Sequence, residues 1–153
     1  AIVRYVRSIR WPSPEQKNQA KTIHAMHGFD GAIGSIDCSY TYLRSSDRSR
    51  ENFGHRRRFA FYHQIVSAPD GRILQYTIGA PGSWPDSRLY HNSPVHTARQ
   101  ELFNEGEYLL ADAGYPLRST LMTPFSKRNW VRRSANGPHG VFARELTKLY
   151  NHE

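Results

Sequence analysis

Ala32-Ile33-Gly34-Ser35-Ile36-Asp37 and Tyr108-Leu109-Leu110-Ala111-Asp112 are two short apolar runs, each closed by a carboxylate. Each reads as a buried strand that delivers its aspartate to the rim of a sheet. Between them lie two further strands, Phe59 to Val66 and Arg72 to Ile78, rich in aromatic and β-branched residues. Leu74, Tyr76 and Ile78 share one face of the second by the two-residue period. Ala68-Pro69-Asp70-Gly71 joins the pair as a turn, with Pro second and Gly fourth. Gly79-Ala80-Pro81-Gly82 is expected to break the chain there, and Ser83 to open a helix that Ser93-Pro94 restarts. That helical stretch runs to about Phe103 with a kink or step.

Upstream, Ser13-Pro14-Glu15-Gln16 carries a helix start, with a capping Ser, Pro in the first turn and Gln at the reciprocal position. Ala20, Ile23 and Met26 follow at helical spacing and Gly28 ends the run. Downstream, Arg118 to Thr123 reads as a short helix or turn stopped by Pro124, Ser126 to Gly140 as a loop or partly disordered segment, and Val141 to Tyr150 as a last helix. The order is helix, three strands with an internal hairpin, helix, strand, helix. An α/β chain in that order has the ribonuclease H-like arrangement, a mixed sheet flanked by helices with strands one and four side by side. Asp37 and Asp112 then end adjacent strands, and Asp86 approaches from the intervening helix.

At 153 residues the chain suits a single domain. Hydrophobic residues are 38% of it and the mean hydropathy is -0.70, so the surface is polar and no stretch suits a membrane span or a signal peptide. One cysteine, Cys38, excludes an internal disulfide and a multi-cysteine zinc cluster. His24 and His27 stand three apart on the first helix, but no cysteine or nearby third ligand completes a zinc set. The net charge of +8 points to a polyanionic partner, of which nucleic acid is the commonest. Arginines 44, 48, 50, 56, 57 and 58 form one basic cluster, and Lys127, Arg128, Arg132 and Arg133 another. Two solvated basic loops would look the same.

Several carboxylates at one sheet rim repel one another unless a divalent cation sits among them. Asp37, Asp86 and Asp112 therefore read together as a metal site, and their hard oxygens select Mg²⁺ or Mn²⁺ over zinc. Alone, Asp37 or Asp112 also suits a loop-capping residue, and Asp86 suits a helix's first turn, where the dipole favours an acid. Trp84 and Trp130 fit either packing or stacking on unpaired bases.

These residues resemble the DDE superfamily of Harbinger-type transposases and their domesticated relatives. The resemblance runs from about Trp11 to the C-terminus. It is carried by Ile33-Gly34-Ser35-Ile36-Asp37-Cys38-Ser39, Pro81-Gly82-Ser83 with Asp86-Ser87-Arg88, Asn92-Ser93-Pro94, and Leu109-Leu110-Ala111-Asp112-Ala113-Gly114-Tyr115-Pro116-Leu117, with Thr123-Pro124-Phe125 after them. It implies a nuclease core that cuts DNA at transposon ends and joins the freed 3′ hydroxyl to a target. Asp37 corresponds to the first catalytic aspartate, Asp112 to the second, and Asp86 to another metal-ligand position. Arg56, Arg57 and Arg58 would grip DNA phosphates.

The sequence departs from the family at Tyr40, where a His is usual. The family's third carboxylate, a Glu on a late helix, corresponds either to Glu145 or to a residue beyond Glu153. Residues 1–153 are then expected to be a nuclease core truncated at both ends, without the helix-turn-helix-like DNA reader that usually precedes it. The resemblance also implies a nuclear protein with no membrane partner, and leaves open a separate DNA-binding partner protein and a homo-oligomer on DNA. The alternative is a domesticated, inactive scaffold that binds DNA or protein. A ribonuclease H-type enzyme acting on RNA hybrids suits the fold but not the Pro81-Gly82-Ser83 and Asp86-Ser87-Arg88 motif.

Overall fold

The computed structural model describes residues 9–43 and 59–124. Helix α1 spans Pro14–Ala25 and opens on the expected capping box, with Ser13 Oγ accepting from Gln16 N–H and the Gln16 side chain accepting from Ser13 N–H. The strands are β1 (Ala32–Tyr42), β2 (Ala60–Ser67), β3 (Ile73–Pro81), β4 (Tyr108–Leu110) and β5 (Leu121–Met122). Three short helices, α2 (Asp86–His91), α3 (Pro94–Thr97) and α4 (Arg99–Leu102), connect β3 to β4. The expected step falls at Ala98, between α3 and α4.

The sheet order is β3-β2-β1-β4-β5. β1, β2 and β3 are antiparallel neighbours, whereas β1 and β4 run parallel and side by side. This is the ribonuclease H-like α/β arrangement expected from the order of elements. The hairpin turn also forms as read: Gly71 adopts a φ of 84° and donates its N–H to Ala68 O, while the Asp70 carboxylate accepts from Arg72 N–H. A core of Ile33, Ile36, Val66, Leu109 and Leu121 lies between one sheet face and Tyr90, Val95 and Phe103 of the helical connection.

Four local expectations are corrected. β1 does not stop at Asp37. It continues to Tyr42 because β2 pairs with it throughout, from Ser35 opposite Ser67 to Tyr42 opposite Ala60. Gly79 does not break the chain. Its φ of 84° falls at a register shift, which the strand passes before ending at Pro81. Leu74 is buried, whereas Tyr76 and Ile78 are 42% and 67% exposed. Leu74 is the extra residue of a bulge between Ile73 and Gln75, so its phase is not carried forward, and β3 is an edge strand. Arg118 to Thr123 makes a turn and then β5, held to β4 by Leu109 N–H to Thr120 O and Ala111 N–H to Met122 O.

The docking of α1 also differs from its apolar pattern. Ala20 is buried, but Met26 is 73% exposed, and the second buried residue is Lys17. Lys17 Nζ lies 2.7 Å from Glu107 Oε2 and donates to Leu102 O at 2.8 Å; Lys21 Nζ meets Glu107 Oε1 at 2.7 Å. Burial pushes the Glu107 carboxyl up, but hydrogen bonds from Lys17, Lys21 and Asn104 outweigh it and hold the group at about 2. A depressed carboxyl stabilises the fold above its unfolded value of 4.5, and that contribution disappears as pH falls toward about 2. Urea denaturation between pH 6 and pH 2 should therefore show a loss of stability that is smaller in Glu107→Gln; equal losses would contradict this.

Candidate functional site

The β1–β4 ladder sets the relation between the first and last aspartates. It ends with Ser35 opposite Leu110, and Asp37 and Asp112 each lie two residues farther along parallel chains. Asp37 is thus inside β1, yet at the level where β4 has finished. It is exposed, and its Oδ1 accepts the Cys38 N–H at 2.7 Å. Asp112 begins the loop after β4, where its Oδ1 accepts Gly114 N–H at 2.8 Å. Asp86 is the first residue of α2, where an acid suits the helix dipole, and its Oδ1 accepts from Tyr62 OH.

Gly114 is where the Asp86 and Asp112 carboxylates meet. A Cβ placed on it would overlap Asp86 Oδ2 and stand 3.0 Å from Asp112 Oδ1. Both oxygens reach one small volume that any side chain here would fill. Beside it, Cys38 Sγ and Tyr115 OH share a 2.9 Å hydrogen bond. Burial pushes the Cys38 thiol up to about 12, with Asp86 and Asp37 adding to the shift, although the Tyr115 bond opposes it. Burial, Cys38 and the same two aspartates raise the Tyr115 phenol as well. Both shifts favour the protonated forms.

All three aspartates consequently surround the Cys38–Tyr115 pair or the Gly114 backbone. Among the described residues, no three His, Cys, Asp or Glu side chains are drawn close enough to enclose a metal ion as they stand. The donor set, all hard carboxylate oxygen, suits Mg²⁺ or Mn²⁺, and the Gly114 cradle leaves room where two of the donors converge. Arg56, Arg57, Arg58, Trp130, Glu145 and Glu153 lie outside the described residues. Trp84 packs against Tyr62, Ala80 and Leu89, with the Arg88 guanidinium 4.4 Å from its ring centre, which favours packing over base stacking.

Tyr62 carries no functional signal in the sequence, and Gly114 and Tyr115 enter the sequence reading only within the motif around Asp112. Gly114 and Tyr115 carried a signal in their nearness to Asp112, but Tyr62 joins the site only across strands.

The family described as DDE superfamily endonuclease matches residues 36–148. "Protein ALP1-like" of Arabidopsis thaliana is 26% identical over 141 residues, covering 80% of this chain and 34% of the relative. "Putative nuclease HARBI1" of Homo sapiens is 22% identical over 126 residues, covering 80% of this chain and 36% of the relative. The chain thus spans about a third of the length of the curated relatives it matches. No solved structure matches it significantly. Because the family match takes in Asp37, Asp86 and Asp112 and most of the chain, this protein belongs to the DDE superfamily endonucleases.

Proposed function

We propose that this chain is the metal-dependent DNA-cutting core of a Harbinger-type transposase, acting on phosphodiester bonds at transposon ends. The observation that carries this reading is the convergence of Asp86 and Asp112 on Gly114, with Asp37 at the matching level of the neighbouring strand. Asp37 and Asp112 are the catalytic aspartates, and together with Asp86 they would hold Mg²⁺ or Mn²⁺. Held there, such ions would supply activation of water or a 3′ hydroxyl and stabilisation of the leaving oxygen.

The chain's own residues prepare the place for that chemistry. Asp37 and Asp112 are oriented by backbone N–H groups, and Asp86 by a phenol. The Cys38–Tyr115 hydrogen bond ties β1 to the loop after Asp112 beside them. Arg56, Arg57 and Arg58 would hold the DNA backbone, giving affinity that falls steeply with salt. On this reading residues 1–153 form one nuclease core of a larger nuclear protein, with the third carboxylate supplied by Glu145 or by a Glu beyond Glu153. A separate DNA-binding partner protein and assembly into homo-oligomers on DNA both suit such a core.

The domesticated scaffold is favoured by one observation, that no three ligating side chains among the described residues are closely gathered. Incubating the full-length protein with supercoiled DNA and Mn²⁺ separates the two readings. Nicking that is lost in Asp37→Ala supports the nuclease; DNA binding without nicking, and without saturable Mn²⁺ binding by calorimetry, supports the scaffold. Gly114→Ala should also weaken Mn²⁺ binding while the melting temperature changes little, because the added methyl displaces Asp86 Oδ2 rather than backbone. Wild-type Mn²⁺ affinity in that variant would count against the shared cradle.

A further inference from the structure

We propose that Tyr62 is a positioning residue that sets the direction of the Asp86 carboxylate, so that the site's grip on a divalent cation depends on a phenol in the neighbouring strand. The proposal rests on the metal-dependent reading above.

Tyr62 sits in β2, directly opposite Tyr40 of β1, and is 4% exposed. The two rings stack with centroids 4.4 Å apart and planes 25° from parallel. Ala80 and Leu89 pack with Tyr62, and Tyr40 and Trp84 lie against this cluster. A ring held in this way has little rotamer freedom, so its hydroxyl points in one direction. That hydroxyl donates to Asp86 Oδ1.

The consequence lies in the other oxygen. Asp86 Oδ2 is the one that faces Gly114, on the side where Asp112 Oδ1 arrives. An aspartate in the first turn of a short helix has another ordinary use for its oxygens, the N–H groups of its own helix end. Here Pro85 occupies the N-cap position and supplies no side-chain cap. Tyr62 holds Oδ1 across the strands, while Oδ2 faces the shared cradle. It also gives Tyr40, the position that departs from the family's usual His, a part to play: its ring is the platform that fixes Tyr62.

Partners that orient a metal-ligating side chain typically alter affinity by about 10–100-fold when removed. The test is a calorimetric Mn²⁺ titration of the full chain as wild type, Tyr62→Phe, Asp86→Asn and the double variant, each with a melting curve. Phe keeps the stack and the buried ring and removes only the hydroxyl. We expect Tyr62→Phe to weaken Mn²⁺ binding about 10-fold with a near-native melting temperature, and the double variant to bind no more weakly than Asp86→Asn alone. Wild-type affinity in Tyr62→Phe, beside a clear loss in Asp86→Asn, would overturn this proposal and leave the metal-dependent reading standing. An equal further loss when Tyr62→Phe is added to Asp86→Asn would also overturn it, since the hydroxyl would then act elsewhere. Absence of Mn²⁺ binding in the wild type would overturn both.

Discussion

Asp112→Ala should abolish Mn²⁺-dependent DNA cleavage while leaving the fold almost as stable as before. The structural cost of this substitution is small, because the described hydrogen bond of the carboxylate is one bond from Gly114 N–H in a loop. Losing a bond of that kind costs about 1 kcal/mol. Removing one of the two carboxylates that converge on Gly114 also relieves like-charge repulsion, which acts in the opposite direction. The catalytic cost is of another order. A cation that stabilises developing charge contributes several kcal/mol to the transition state, and each 1.36 kcal/mol is tenfold in rate, so a loss of roughly 10²-fold to 10³-fold is the floor. Asp37→Ala should behave the same way, since Asp37 is exposed and accepts from the adjacent Cys38 N–H. Cleavage rates of the full-length protein, set beside melting temperatures, check both. A cleaving Asp112→Ala variant would remove this residue from the mechanism.

Glu107→Ala is expected to destabilise the fold by about 3–5 kcal/mol in urea denaturation. Glu107 gathers Lys17, Lys21, Asn104 N–H and the Asn104 amide onto one carboxylate whose side chain is 1% exposed. Without it, Lys17 Nζ stays buried against Leu102 O, an ammonium removed from water and deprived of its counter-charge. That is the case in which a buried ion pair matters most, because the penalty falls on the partner left behind. Lys21→Ala provides the contrast: its side chain is about a third exposed, so its pairing is screened and should be worth no more than about 1 kcal/mol. If the two substitutions cost the same, the burial of Lys17 is not what ties α1 to the sheet. Mn²⁺ binding should survive Glu107→Ala wherever the protein remains folded.

Where local chemistry is sufficient, the sequence was legible to the residue. The Ser13 capping box and the Gly71 turn need only neighbours three residues away, so they form wherever those residues occur. The placing of strands one and four side by side follows from the order of elements, because a right-handed crossover leaves few alternatives. The order of elements therefore already places Asp37 and Asp112 on neighbouring strands. Other features depended on partners distant in the chain. β1 runs on to Tyr42 because β2 is there to pair with it, and β5 is a strand of two residues only because β4 lies alongside. Lys17 is buried because Glu107 lies 2.7 Å away, against every expectation for a lysine on a helix.

The sequence by itself determined the α/β class, the strand order at the centre of the sheet, and the family to which the three aspartates belong. Tertiary structure alone decided that Asp86 turns one oxygen to Tyr62 and the other to Gly114 beside Asp112. The physical reason is range. Capping, turns and strand alternation are set by residues a few positions apart, whereas the aim of a carboxylate is set by whichever donors the folded chain brings to it.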